Sequence, residues 1–162
     1  MANRIFVTYN PNVAIEQNTA LRLQTIANLY GLTVDLPSRL SGNGLINTET
    51  KNRINNSDFV LALSLYKMEQ EVNSELGHAI AKKKPILAIY QEGIGKNIDF
   101  TGYPVDEVSL DINDTEAALH NIANFIQTKF KQNKDKDQNA KNIAILGIAL
   151  GMLALWSLNK EK

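Results

Sequence analysis

Three runs of aliphatic and β-branched residues, IFV at 5–7, FVLALS at 59–64 and ILAIY at 86–90, are apolar at every position or nearly so, with no polar alternation. A strand with this pattern has to be covered on both faces, which is the situation of a parallel sheet packed between helices. The intervening stretches carry helical rather than strand periodicity, so the chain alternates β and α. This predicts an α/β fold: a flavodoxin-like three-layer parallel five-stranded sheet with helices on both faces.

The elements follow in order. A first strand over 5–9 ends at the turn residues Asn10, Pro11 and Asn12. A helix with Leu23, Ile26, Ala27 and Tyr30 on one side comes next, and Gly31 stops it. A second strand is predicted over 33–36, then a long loop over 37–44 rich in Pro, Ser, Gly and Asn. A short polar helix over 48–55 precedes the central strand 59–64. The next helix, 68–82, is read with Val72, Leu76 and Ile80 inward and Glu71, Glu75, His78 and Lys82 outward. Strands over 86–90 and 107–110 complete the sheet, and a helix capped at Asn113 with Glu116 three residues on closes the domain.

Beyond residue 130 the composition changes. The segment KQNKDKDQN at 131–139 holds no apolar residue and reads as a solvated linker, bounded at 131–140. The span set at 141–159 is Lys141 followed by the run NIAILGIALGMLALWSLN at 142–159, which is uncharged until Lys160 and apolar all round. As a helix it reaches roughly 27 Å, close to the hydrocarbon thickness of a bilayer. Lysines 129, 131, 134, 136 and 141 precede it, against Lys160 and Lys162 after it, which keeps the N-terminal domain of residues 1–130 on the cytoplasmic side. The reading is a single-pass C-terminal anchor in a lipid bilayer. Gly147 and Gly151 form G-x-x-x-G, with Ala140 and Ala144 nearby, a spacing that lets membrane helices self-associate.

Several chemistries are excluded or left without support. The chain has no cysteine, which removes thiolate nucleophiles and zinc–thiolate sites. Its formal net charge is zero, so no nucleic-acid partner is expected. His78 and His120 lack metal-ligand spacing, and no metal site is predicted. GIGK at 93–96 is too short for a phosphate loop and reads as a turn.

Ligands of parallel α/β sheets bind at the carboxyl ends of the strands. Those ends carry Tyr9 and Asn10, the 37–44 loop, the segment from Ser64 through Tyr66 to Met68, and Gln91-Glu92. Glu75 stands at this edge with Glu71 one helical turn before it, a spacing at which carboxylates can act on each other through charge. The same spacing is equally that of a solvated helix face carrying an i, i+4 pair. Tyr9 suits either core packing or stacking on a planar ligand ring.

The stretch INNSDFVLALSLYKMEQEVNSELGHAIAKKKPILAI resembles the second half of a bacterial-type TIR (Toll/interleukin-1 receptor-like) domain. The matching features are the Ser before the central strand, the Ser ending it, a following Tyr, the "EL" on a helix and the basic run before "PI". FVTYN resembles the family's opening strand, and the loop after the second strand has the family's length. The likeness spans about residues 4–130. Glu71-Val72 stands where a Trp-Cys pair is common, and Asn10 where a basic residue is common.

The resemblance implies an NAD-cleaving enzyme, an NAD glycohydrolase or nucleosidase giving ADP-ribose or a cyclic variant, with NAD as substrate and no cofactor. Glu75 is the implied catalytic residue; Tyr9, Asn10, Ser64, Tyr66 and Glu71 are the implied substrate-binding set. It further implies self-association through the domain, activation by oligomerisation, and partner proteins in antiviral or innate-immune-type defence. ELGHAIAKKKPI is also similar to the glutamate segment of nucleoside 2-deoxyribosyltransferases, although the glycine-rich approach to that glutamate is replaced by EQEVN. A non-catalytic TIR scaffold or adaptor is a third expectation.

Overall fold

The computed structural model describes residues 4–29, 33–39, 46–64, 70–91 and 102–110. Tyr66, the helix expected after Asn113, the linker and the apolar run at 141–159 lie outside the described residues. Among the described residues, no helix is long and apolar enough to cross a membrane.

The chain forms an α/β unit in the order β1 (Arg4–Thr8), α1 (Ala14–Leu29), β2 (Thr33–Asp35), α2 (Thr48–Asn55), β3 (Phe59–Ser64), α3 (Gln70–Ala81), β4 (Ile86–Gln91) and β5 (Asp106–Leu110). All strand pairings are parallel, and the sheet runs β2-β1-β3-β4-β5. The register pairs Ile5 with Val34 on one side and with Phe59 on the other, so β1 is an interior strand. Tyr9, expected inside the first strand, is the first residue beyond it.

The period of two divides the strand residues between two covered faces. Phe6, Val60, Ala62, Ile86 and Ala88 face Ile54 of α2 and Val72, Leu76 and Ala79 of α3. Their neighbours Ile5, Val7, Leu61, Leu63, Leu87 and Ile89 point the other way and are also buried. Right-handed crossovers running one way from β1 to β2, and the opposite way from β2 to β3 and from β3 to β4, put α1 on one side and α2 with α3 on the other. The residues of β1, β3 and β4 are buried on both faces, as their unbroken apolar runs require.

Helix α3 corrects one expectation. Its buried residues are Val72, Glu75, Leu76 and Ala79, so Glu75 lies on the inward face and not among the outward charges. The reason is helical geometry: 72, 75, 76 and 79 are i, i+3, i+4 and i+7, while Ile80 sits at the margin of that stripe, only partly buried. His78 does face outward, where its Nε2 meets Asn55 Oδ1 at 2.9 Å. The helix ends in a Schellman motif: Lys84 N–H donates to Ala79 C=O at 3.0 Å and Lys83 N–H to Ile80 C=O at 2.9 Å.

Lys83 itself takes φ 56°, the left-handed conformation that this motif demands and that a side chain resists. Replacing Lys83 with Gly is expected to stabilise the domain by about 0.5–1 kcal/mol, relief of the left-handed strain exceeding the added freedom of the unfolded chain. Urea unfolding of the parent and Lys83→Gly proteins, followed by circular dichroism, measures it; an unchanged or lower midpoint contradicts the strain.

Candidate functional site

Three segments converge at the carboxyl end of β1. The strand delivers Thr8, which is fully buried, and then Tyr9 and Asn10, both buried just past its last hydrogen bond. Asn10 shapes the exit: its side-chain Oδ1 accepts from Asn12 N–H at 2.9 Å, an Asx turn, and its carbonyl accepts from Val13 N–H at 3.2 Å. Its own N–H donates to Glu16 Oε1 at 3.1 Å, so the first turn of α1 reaches back and fixes the loop.

The second segment follows β2. Arg53 Nη1 donates to Leu36 C=O at 2.6 Å, and Asn47 Nδ2 donates to Ser38 C=O at 2.6 Å. The Thr50 hydroxyl also donates to Ser38 C=O and accepts from Ser38 N–H, both at 3.0 Å. Asn47 at the same time caps α2 by accepting from Thr50 N–H at 2.8 Å. The irregular backbone of 36–38 is thus pinned along the start of α2, and the next residue, Arg39, is aimed across the sheet edge.

The third segment is α3, which brings Glu75. Its side chain is 3% exposed. Thr8 Oγ1 donates to Glu75 Oε1 at 2.8 Å. Arg39 Nη2 donates to Oε1 at 2.8 Å and to Oε2 at 3.3 Å, and Arg39 Nε donates to Oε2 at 3.3 Å, a forked ion pair. The guanidinium carbon lies 4.9 Å from the centroid of the Tyr9 ring, so the cation rests on an aromatic face while it holds the carboxylate. Among the described residues, the remaining nitrogen, Arg39 Nη1, finds no hydrogen-bond partner.

Burial pushes the Glu75 carboxyl above its ordinary 4.5, opposed by the hydrogen bonds and charge of Arg39 and by the Thr8 hydroxyl, and reinforced by the charge of Glu71. Desolvation by burial is the largest of these effects and prevails over the ion pair. The Tyr9 hydroxyl is raised for the same reason, with Arg39 lowering it and Glu75 raising it.

Of the residues singled out from the sequence, Glu75 and Tyr9 share one centre through Arg39, and Asn10 adjoins it. Glu71 sits one turn before Glu75, half-buried, and acts on it through charge. The backbone of Ser64 ends β3 on the same sheet edge, in register with Tyr90. Sequence reasoning missed Thr8, Glu16 and Arg39. Arg39 had a signal: it is the one charged residue in the loop PSRLSGNG. Thr8 had none, because a threonine in a strand is ordinary. Among the described residues, no cluster of three His, Asp or Glu side chains is placed to hold a metal.

No known protein-family model matches the chain, and no curated protein matches it. The site therefore has to be read from its own chemistry. Glu75 offers a carboxylate that is desolvated and held by Thr8 and Arg39 at the carboxyl end of β1. Such a group can stabilise a positive centre or accept hydrogen bonds from hydroxyls.

The sign of the linkage is fixed by the raised carboxyl. Its contribution to stability is complete below pH 4.5 and is lost as pH rises through the folded-state value. Arg39→Gln removes the groups that hold that value down, so the loss moves to higher pH. Thermal unfolding from pH 4 to 8 is expected to show this displacement relative to the parent. A displacement to lower pH contradicts the assignment of Arg39 as the counter-charge.

Proposed function

We propose that this chain is a TIR-like NAD-cleaving enzyme built on a flavodoxin-like sheet, with Glu75 as its catalytic carboxylate. The observation that carries the reading is the buried Glu75 side chain, fixed by Thr8 and Arg39 beside the Tyr9 ring at the end of β1. The TIR-like sequence around Glu75, described above, supplies the substrate. The strand order β2-β1-β3-β4-β5 agrees with that of flavodoxin-like doubly wound sheets, whose ligands lie where the winding reverses.

The chemistry suits such a carboxylate. The bond from ribose C1′ to the nicotinamide nitrogen breaks, its electron pair returns to the ring, and the ring loses its positive charge. Positive charge develops at C1′ and the ring oxygen of the ribose. Glu75, ionised, stabilises that charge and accepts from the ribose hydroxyls. Water adds its oxygen to C1′ and releases a proton, so the products are nicotinamide, ADP-ribose and one proton; attack by a nitrogen of the adenine instead gives a cyclic product. Tyr9 offers a ring face at the carboxyl end of β1, and Asn10, Ser64, Tyr66 and Glu71 are the further residues proposed to line the site.

The apolar run at 141–159 supports a second element of the reading: a C-terminal membrane anchor with the catalytic domain on the cytoplasmic side. Confinement in the bilayer and the G-x-x-x-G spacing favour self-association of the domains, and defence signalling is the setting the TIR-like sequence suggests.

Incubation with NAD tests the activity. Glu75→Gln is expected to lower nicotinamide release by about a hundred- to a thousandfold, the scale of a lost electrostatic stabiliser, while circular dichroism reports a folded domain. Turnover by that variant at the parental rate, or base exchange on deoxynucleosides by a parent that ignores NAD, removes the reading. The full chain is expected to stay with membranes after an alkaline carbonate wash, and a chain ending at Asn139 to be released; a full chain recovered without detergent sinks the anchor.

A further inference from the structure

The arrangement at the end of β1 holds a charge pair, not a lone carboxylate. Glu75 cannot act on a sugar while both of its oxygens are engaged by Arg39. Yet an ionised carboxylate with 3% exposure is costly to leave without a counter-charge. Whatever enters the site therefore has to do two things at once: draw the guanidinium away, and bring its own positive charge to the carboxylate.

The two partners differ in how they are held. Glu75 is on the second turn of α3, on the buried stripe with Val72, Leu76 and Ala79. Arg39 follows an irregular segment pinned at Leu36 and Ser38, is 16% exposed, and rests on the Tyr9 ring with Nη1 unpartnered among the described residues. The guanidinium is the movable member, and its planar fork suits phosphate oxygens as well as it suits a carboxylate. Its release from Glu75 leaves Nε and Nη2 available together with Nη1, all donors on one plane.

We propose that Arg39 is the anion-recognition group of this site, and that its substrates are zwitterionic nucleotides whose phosphate takes Arg39 while their cationic base meets Glu75. This deepens the reading of the site as an NAD-cleaving centre and rests on it. The exchange conserves charge: the ion pair inside the protein is replaced by two ion pairs with the ligand. A compound with the cationic ring and no phosphate leaves Arg39 on Glu75. One with phosphate and no cation takes Arg39 and strands the carboxylate. The preference for both groups follows from the pair itself.

Four probes separate the groups on the full-length protein: NAD and nicotinamide mononucleotide carry both charges, nicotinamide riboside the cation, and inorganic pyrophosphate the anion. kcat/KM for the two nucleotides is expected to exceed that for the riboside by about a hundredfold, the scale of one forked charged contact. In Arg39→Gln this ratio is expected to fall to about tenfold or less, mainly through a raised KM for the nucleotides, and Arg39→Lys to lie between. Equal efficiency on riboside and nucleotides in the parent, or an unchanged ratio in Arg39→Gln, overturns the proposal. A binding measurement tells its failure from failure of the NAD reading. Pyrophosphate is expected to shift the carbon-13 titration of the Glu75 carboxyl to higher pH in the parent and not in Arg39→Gln. That shift without any NAD turnover keeps the exchange and removes the NAD chemistry; NAD turnover without that shift does the reverse.

Discussion

The winding of this sheet reverses between β1 and β3, and the site depends on that reversal. The chain leaves β1 toward α1 and the β2 edge, whereas it leaves β3 toward α3 and β4 on the other side. In sheets wound this way, connections that part in opposite directions make the carboxyl ends of the two strands the ligand-binding edge. The parallel pairing of Val7 with Leu61 and Thr8 with Ala62 sets those ends side by side. Thr8, Tyr9 and Asn10 stand at this edge because β1 stops there, and Glu75 reaches it because α3 begins there.

Packing does the rest of the placement. Ile54, Val72, Leu76 and Ala79 fix α2 and α3 on the face made by Phe6, Val60, Ala62, Ile86 and Ala88. Since α3 is seated by Val72 and Leu76, the residue between them on the same stripe, Glu75, is buried with them. The N-terminus of α2 in turn anchors the backbone at Ser38 and thereby the root of Arg39. An ion pair across two elements thus rests on hydrophobic contacts elsewhere on the same helices.

A buried ion pair is weak evidence of a stabilising device. Removing two charges from water costs several kcal/mol for each ion, and apolar side chains of similar volume often serve stability as well or better. Here burial outweighs the Arg39 and Thr8 donors, leaving the carboxyl above its ordinary titration range. A group kept at a net cost, at the ligand edge of a parallel α/β sheet and beside an aromatic ring, is a candidate functional-site residue.

Much of the fold was legible in the chain because it depends on local pattern. Apolar runs at 59–64 and 86–90 announce strands covered on both faces, and α2 and β3 fall at the residues the pattern predicts. The carboxyl-edge position of Tyr9, Asn10 and Glu75 was legible too, since strand polarity alternates with helix position in any parallel α/β unit. The face of α3 was not. Glu75 stands at a position that suits either side of the stripe, and a charged residue there is read as outward unless a partner is known. The partners, Thr8 and Arg39, are 67 and 36 residues away in sequence. Local pattern determines which elements form and which ends of them face the ligand edge. Only the tertiary structure decides that a threonine from β1 and an arginine from the loop after β2 meet one glutamate of α3, because register and crossover handedness, not spacing along the chain, bring those three side chains together.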